Sequence, residues 1–190
     1  MTATRWLALS VAAAGLASFA IVLESGALWH ASVSFGAGQL SSGNLVLLTG
    51  DSTTQVKNYG FHALSGSGLT PGSWSQAPLT VKNGGSALLS YRLSNTSAVA
   101  GGGLPDQLQL VMSTVQTASN CPTGQAAADP SGTVSIIYDG NLVGASWAGV
   151  RALNSGVSEA LCVRIVLPSS AGTSAEGATT EITFTFSADT

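Results

Sequence analysis

From Leu28 onward the chain alternates. Trp29, Ala31, Val33, Phe35 and Ala37 share one face of an extended segment, and His30, Ser32, Ser34 and Gly36 share the other. Short apolar or alternating runs recur at Leu45 to Leu48, Leu108 to Val115, Val134 to Tyr138, Leu161 to Leu167 and Ile182 to Phe186, and no helical spacing is sustained between them. The breaks carry turn chemistry. Leu69-Thr70-Pro71-Gly72 holds the Pro-Gly pair that a type II turn requires, with Pro presetting φ and Gly tolerating positive φ. The following strand points Ala77, Leu79 and Val81 inward, and Asn83-Gly84-Gly85 turns the chain into Leu89, Tyr91 and Leu93 as a hairpin would. A one-sided apolar row is stable only when a second layer covers it. Eight or so such strands therefore predict an all-β fold, a jelly-roll-like β-sandwich over residues 41–190.

Ahead of the first strand stands a leader. Met1 to Arg5 carries one positive charge, Trp6 to Leu23 is apolar, and Ser25-Gly26-Ala27 puts small residues where a signal peptidase reads them. The expectation is a signal peptide over 1–27 cleaved between Ala27 and Leu28, followed by a strand or arm over 28–40. An uncleaved anchor is the alternative, since about 18 apolar residues can just span a bilayer. Export fits the rest of the composition. With 6 Lys+Arg and 9 Asp+Glu in 190 residues, the chain lacks the clustered cations that neutralise phosphates, which excludes nucleic acid as a partner class. Contact with a membrane is expected only through the leader, before cleavage.

Two cysteines in an exported chain are usually paired. If Leu161, Val163 and Ile165 point inward, Cys162 faces out, toward a Cys121-Pro122 loop that could lie over it. A Cys121–Cys162 disulfide is expected, against two free buried thiols.

The leader, the small-residue exit followed by an aromatic, and Ser42-Gly43-Asn44-Leu45-Val46-Leu47 together resemble the N-terminus of proteins with SipW-dependent signal peptides, the TasA/camelysin family. The resemblance continues through Leu69-Thr70-Pro71-Gly72 into "LTVKNGGSALLSYRL", and the closing "LCVRIVLP" and "TTEITFTFSA" are similar to the last strands of actinobacterial members. It implies a secreted jelly-roll protein of the cell surface or biofilm matrix that assembles into extracellular fibres by inserting an N-terminal strand into the next subunit. In this chain that donor strand would present Trp29, Ala31, Val33 and Phe35. The partners so implied are further copies of the chain, with other surface or matrix proteins. The alternative arrangement has the same strand protecting an edge of its own sandwich.

Catalytic patterns are poor, so no enzyme activity, cofactor or metal is expected. The proteolytic activity associated with camelysin finds no His-Glu-x-x-His, because His30 and His62 stand alone. Gly144-Ala145-Ser146-Trp147-Ala148 misses the last glycine of a nucleophile elbow. Gly36-Ala37-Gly38 and Gly101-Gly102-Gly103 open no helix that could cradle a phosphate. Asn95-Thr96-Ser97 matches a glycosylation acceptor by pattern alone. Trp74, Trp147, Tyr59 and Tyr138 allow a second reading, a monomeric surface module that stacks sugars or binds protein; the competing view of these aromatics is core and rim packing.

Overall fold

The computed structural model describes residues 43–99 and 102–189. The leader, the cleavage site at Ala27 and Leu28, and the row Trp29, Ala31, Val33 and Phe35 lie outside the described residues. In chain order the elements are β1 (Leu47–Gly50), β2 (Gln55–Val56), β3 (Trp74–Asn83), β4 (Leu89–Val99), a four-residue helix α1 (Leu104–Gln107), β5 (Gln109–Val115), β6 (Gly124–Gln125), β7 (Ser135–Asn141), β8 (Arg151–Leu153), β9 (Ser158–Val166) and β10 (Glu181–Asp189). The strand expected at Leu45 to Leu48 starts two residues later. Asn44 and Val46 instead bond to the loop at Gly84 and Ser86.

Pro71 and Gly72 aim the first long strand. Gly72 has φ of 89°, and the Thr70 carbonyl accepts from Ser73 N–H at 2.9 Å, the bond and the backbone sign of a type II turn. β3 then runs into the middle of a seven-stranded antiparallel sheet of order β2-β1-β3-β9-β5-β7, with β6 pairing the start of β3. A second sheet has the order β10-β4-β8. The two sheets pack face to face as an all-β sandwich, with β3 to β4, β4 to β5, β7 to β8, β8 to β9 and β9 to β10 each crossing between them. Asn83-Gly84-Gly85 is one of these crossings. It closes no hairpin, because β3 and β4 lie in different sheets: the buried Asn83 side chain donates to Ala87 O and Leu153 O and accepts from Gly85 N–H, tying the turn to the opposite layer.

The inward rows fill the space between the layers. Ala77, Leu79 and Val81 of β3, Leu89, Tyr91 and Leu93 of β4, Leu110 and Met112 of β5, and Leu161, Val163 and Ile165 of β9 are all buried. Each buried Val, Leu, Ile or Met side chain of this set contributes about 1.5–3 kcal/mol relative to exposure. The opposite face of β9 carries Cys162, which is joined to Cys121 by a disulfide with Cα atoms 5.4 Å apart; Val115 and Ala160 pack around it. A disulfide of this kind belongs to a non-cytoplasmic environment.

Candidate functional site

The two sheets are unequal in width, and β10 is the long edge strand of the narrower one. This strand pairs with β4 over its whole length, from Glu181 opposite Val99 to Asp189 opposite Ser90. Among the described residues nothing pairs with its other edge. A nine-residue unpaired edge is a template for another strand, and natural sheets of this length usually cover or charge theirs. β10 presents only Glu181 and Asp189 as charged residues, one at each end. Between them Ile182, Phe184, Phe186 and Ala188 face the core, while Thr183 and Thr185 face solvent.

Beside this edge the inner face of the larger sheet is covered by loop residues and not by a strand. Tyr59, Phe61 and Leu64 lie over it, with Phe61 edge-on to Phe184 at 6.4 Å and Tyr59 tilted against Phe61 at 6.1 Å. They leave a trough with two bays. One of about 440 Å³ is walled by Tyr59, Phe61, His62, Leu79, Phe184 and Phe186. The other, about 770 Å³, reaches down to Leu69, Leu104, Leu108 and Ile165 under the turn at Ala175 to Thr179. Leu64, Ser65, Thr180 and Ile182 line both, so the trough is continuous beside the first part of β10, as far as Phe186. Ionisable groups in its walls are sparse: His62 and Glu181 in the first bay and Glu176 in the second, with the Tyr59 phenol pushed up by burial and then by the Asp51 charge, hence neutral. A trough lined by both polar and apolar groups, beside backbone N–H and C=O groups that have no strand partner among the described residues, suits an extended peptide whose alternate side chains fill pockets.

The candidate reactive groups singled out in the sequence lie apart from one another. Ser146 is exposed in the turn after Gly144, whose φ is 75°. His62 sits on the trough wall, and His30 lies outside the described residues. Among the described residues no three His, Cys, Asp or Glu side chains gather to hold a metal ion. The four aromatics singled out in the sequence do not share a face. Trp147 packs between the sheets, edge-on to Tyr91 and Phe186 at 6.4 and 6.0 Å. Trp74 is on the outer face of the large sheet under the Arg164 guanidinium, 5.2 Å from its ring, and donates its indole N–H to Ala127 O. Tyr138 donates to Asn141 O, and Tyr59 alone borders the trough.

A second polar cluster holds the layers together. Glu159, in the inward row of β9, accepts from the Tyr91 hydroxyl of β4 and from both Nε and Nη2 of Arg151 on β8, the Nε bond being 2.7 Å. Burial raises the Glu159 pKa, but the hydrogen bonds from Arg151 and Tyr91 and the Arg151 charge outweigh it, and the carboxyl is held below its ordinary value. Burial first, then the bond to Glu159, drives the Tyr91 phenol far up, so it remains a donor at any physiological pH. Sequence reading missed this cluster, although its signal was present: the alternation that turns Leu161, Val163 and Ile165 inward also turns Glu159 inward. No protein-family model and no curated protein matches the chain.

Proposed function

We propose that this protein is an exported structural subunit that polymerises outside the cell by β-strand addition, an N-terminal strand of one copy completing the sheet of the next along the outer edge of β10. The observation that carries the reading is the juxtaposition of that nine-residue edge, unpaired among the described residues, with the trough beside it. The sequence offers a matching ligand, since Trp29, Ala31, Val33 and Phe35 form a one-sided apolar row in the segment that follows the leader. The resemblance of the leader and Ser42–Leu47 to the TasA/camelysin family supports the same reading and suggests the cell surface or biofilm matrix as the place of assembly. Head-to-tail addition of this kind is heterologous and does not close on itself, so its product is a filament.

The test is deletion of Leu28 to Phe35 from the exported chain, with intact and truncated proteins compared by sedimentation and electron microscopy. The intact chain is expected to form filaments and the truncated one to stay small. An intact chain that remains monomeric at high concentration refutes the reading, as does a truncated chain that still polymerises.

The aromatic bay of Tyr59, Phe61, Phe184 and Phe186 favours one second reading, a monomeric module that takes an extended foreign ligand into the same trough. In that case deletion of residues 28–35 leaves the oligomeric state unchanged, and the intact protein is retained on a solid polysaccharide or on a partner protein.

A further inference from the structure

The second bay of the trough is held open by its own roof. The roof is the segment 171–180, in which Ala175 and Ala178 pack toward the core and Gly177 stands between them at φ of 63°. Gln107 of α1 fixes one end with both arms of its amide, Nε2 donating to Ser174 Oγ at 2.6 Å and Oε1 accepting from Gly172 N–H. Gly103 N–H donates to Ser174 O at 3.1 Å, an approach that needs glycine, since a Cβ there would stand 2.8 Å from Ser174 Oγ. At the other end Thr180 Oγ1 donates to Val99 O at 2.8 Å. The floor, Leu104, Leu108 and Ile165, is part of the close-packed core. The space of about 770 Å³ that remains is therefore preformed, and it falls within the range of about 300–1,000 Å³ that small-molecule sites occupy.

The residues around this space narrow the class of ligand. Leu64, Leu69 and Ile182 stand half-buried in the walls above the aliphatic floor, and none of the described lining residues is aromatic. The first bay differs, with the rings of Tyr59, Phe61, Phe184 and Phe186. Hydroxyls also line the second bay, but Ser75 Oγ, on a residue only 3% exposed, already donates to Ser65 O at 2.6 Å, and Thr180 Oγ1 is bonded to Val99. A sugar here would lay its hydroxyls on the aliphatic floor with no ring to stack on, which buries polar groups without partners. An aliphatic chain loses nothing there.

Charge and surroundings narrow it further. Glu176, exposed on the roof, is the one ionisable side chain among the described lining residues, and no lysine or arginine lines the bay with it. Its charge attracts an ammonium head and repels a carboxylate or phosphate. None of the large apolar side chains exposed on the described surface lines this bay. Nothing of the kind that seats a protein in a bilayer therefore surrounds the mouth, and the ligand has to arrive from solution.

We propose that this bay binds one single-chain amphiphile taken from solution, with its aliphatic chain on Leu104, Leu108 and Ile165 and a cationic head beside Glu176. The site goes beyond strand addition and does not depend on it, because the backbone edge of β10 takes no part.

The test is isothermal titration calorimetry on the full exported chain, kept dilute, with decyltrimethylammonium, its octyl homologue and decanoate, each below its micelle concentration. One decyltrimethylammonium is expected per chain, with affinity falling about fourfold for each methylene removed on going to octyl. Decanoate should bind about tenfold more weakly, since an exposed ion pair is worth at most about fivefold and the repulsion adds to it. Glu176→Lys should reverse the order of cation and anion. Asp139→Lys, which makes the same change in net charge on β7, outside the bay, should leave the order as it was. Ser67→Trp or Thr179→Trp, both at exposed lining positions, should fill the bay and abolish binding, with Tm reporting that each variant folds. The charge-reversal arm decides alone should neither Trp variant fold. No binding, several ligands per chain, an order unchanged by E176K or equally changed by D139K, or full binding to a folded S67W or T179W protein overturns the proposal.

Discussion

Replacing Glu159 with Gln tests how the two layers are held. The carboxylate is the shared acceptor of the Tyr91 hydroxyl and the Arg151 guanidinium, and its side chain is 18% exposed against 33% for Arg151. Loss of one partner of a fully buried ion pair costs about 3–5 kcal/mol, but Arg151 retains access to water and lowers that figure. The Gln carbonyl can still accept from Tyr91, so the hydroxyl keeps a partner and the penalty for an orphaned buried donor is avoided. The expected loss is about 2–3 kcal/mol, which for a domain of this size lowers Tm by about 4–12 °C. The pH dependence fixes the cause. Because the folded Glu159 pKa is depressed, its stabilisation is present above the ordinary glutamate value of 4.5 and is lost as pH falls through the lower folded value. Thermal or urea unfolding of wild type and E159Q at pH 7 and at pH 3 should therefore show a gap that narrows in acid. A gap below about 0.5 kcal/mol at pH 7, the level of an ordinary surface substitution, refutes the argument, and so does one that is independent of pH.

Paired Cys121→Ser and Cys162→Ser substitutions should lower unfolding stability by about 4 kcal/mol in the chain-entropy model, given a sequence separation of 41 residues, as read by urea denaturation; a change near zero would mean that the bridge does not constrain the unfolded chain. Intact-mass analysis of exported material should give a chain that starts at Leu28, and recovery in the membrane fraction with residues 1–27 attached would replace a free subunit by an anchored domain.

Local chemistry was legible in the sequence and partner choice was not. Thr70-Pro71-Gly72-Ser73 closes as a turn because two adjacent residues dictate its dihedrals, and nothing distant is needed. Burial parity was equally local: the inward sets of β3, β4 and β9 follow from alternation. Asn83-Gly84-Gly85 reads as a hairpin turn by the same logic, yet the chain crosses to the other sheet, since what Asn83 bonds to includes Leu153, 70 residues away. The helix Leu104–Gln107 left no periodic signal because four residues make a single turn, with Pro105 starting it. The trough was hidden for the same reason as the crossing. The alternation of Ile182 to Phe186 identifies a strand, but whether that strand has one neighbour or two depends on pairings with β4 and on how far the Tyr59–Leu64 loop reaches across the other layer. Glu159 could have been found, as a carboxylate in an otherwise apolar inward row.

Hydrogen–deuterium exchange of the exported protein, compared between dilute and assembled states, bears most directly on the role of β10. If strand addition at its free edge joins the copies, the peptide covering Glu181–Asp189 gains protection on assembly, because the outward-facing N–H groups acquire partners, while the peptide covering the opposite edge strand of that sheet, Arg151–Leu153, does not change. An assembled state in which the β10 peptide exchanges as fast as in the dilute protein contradicts the account.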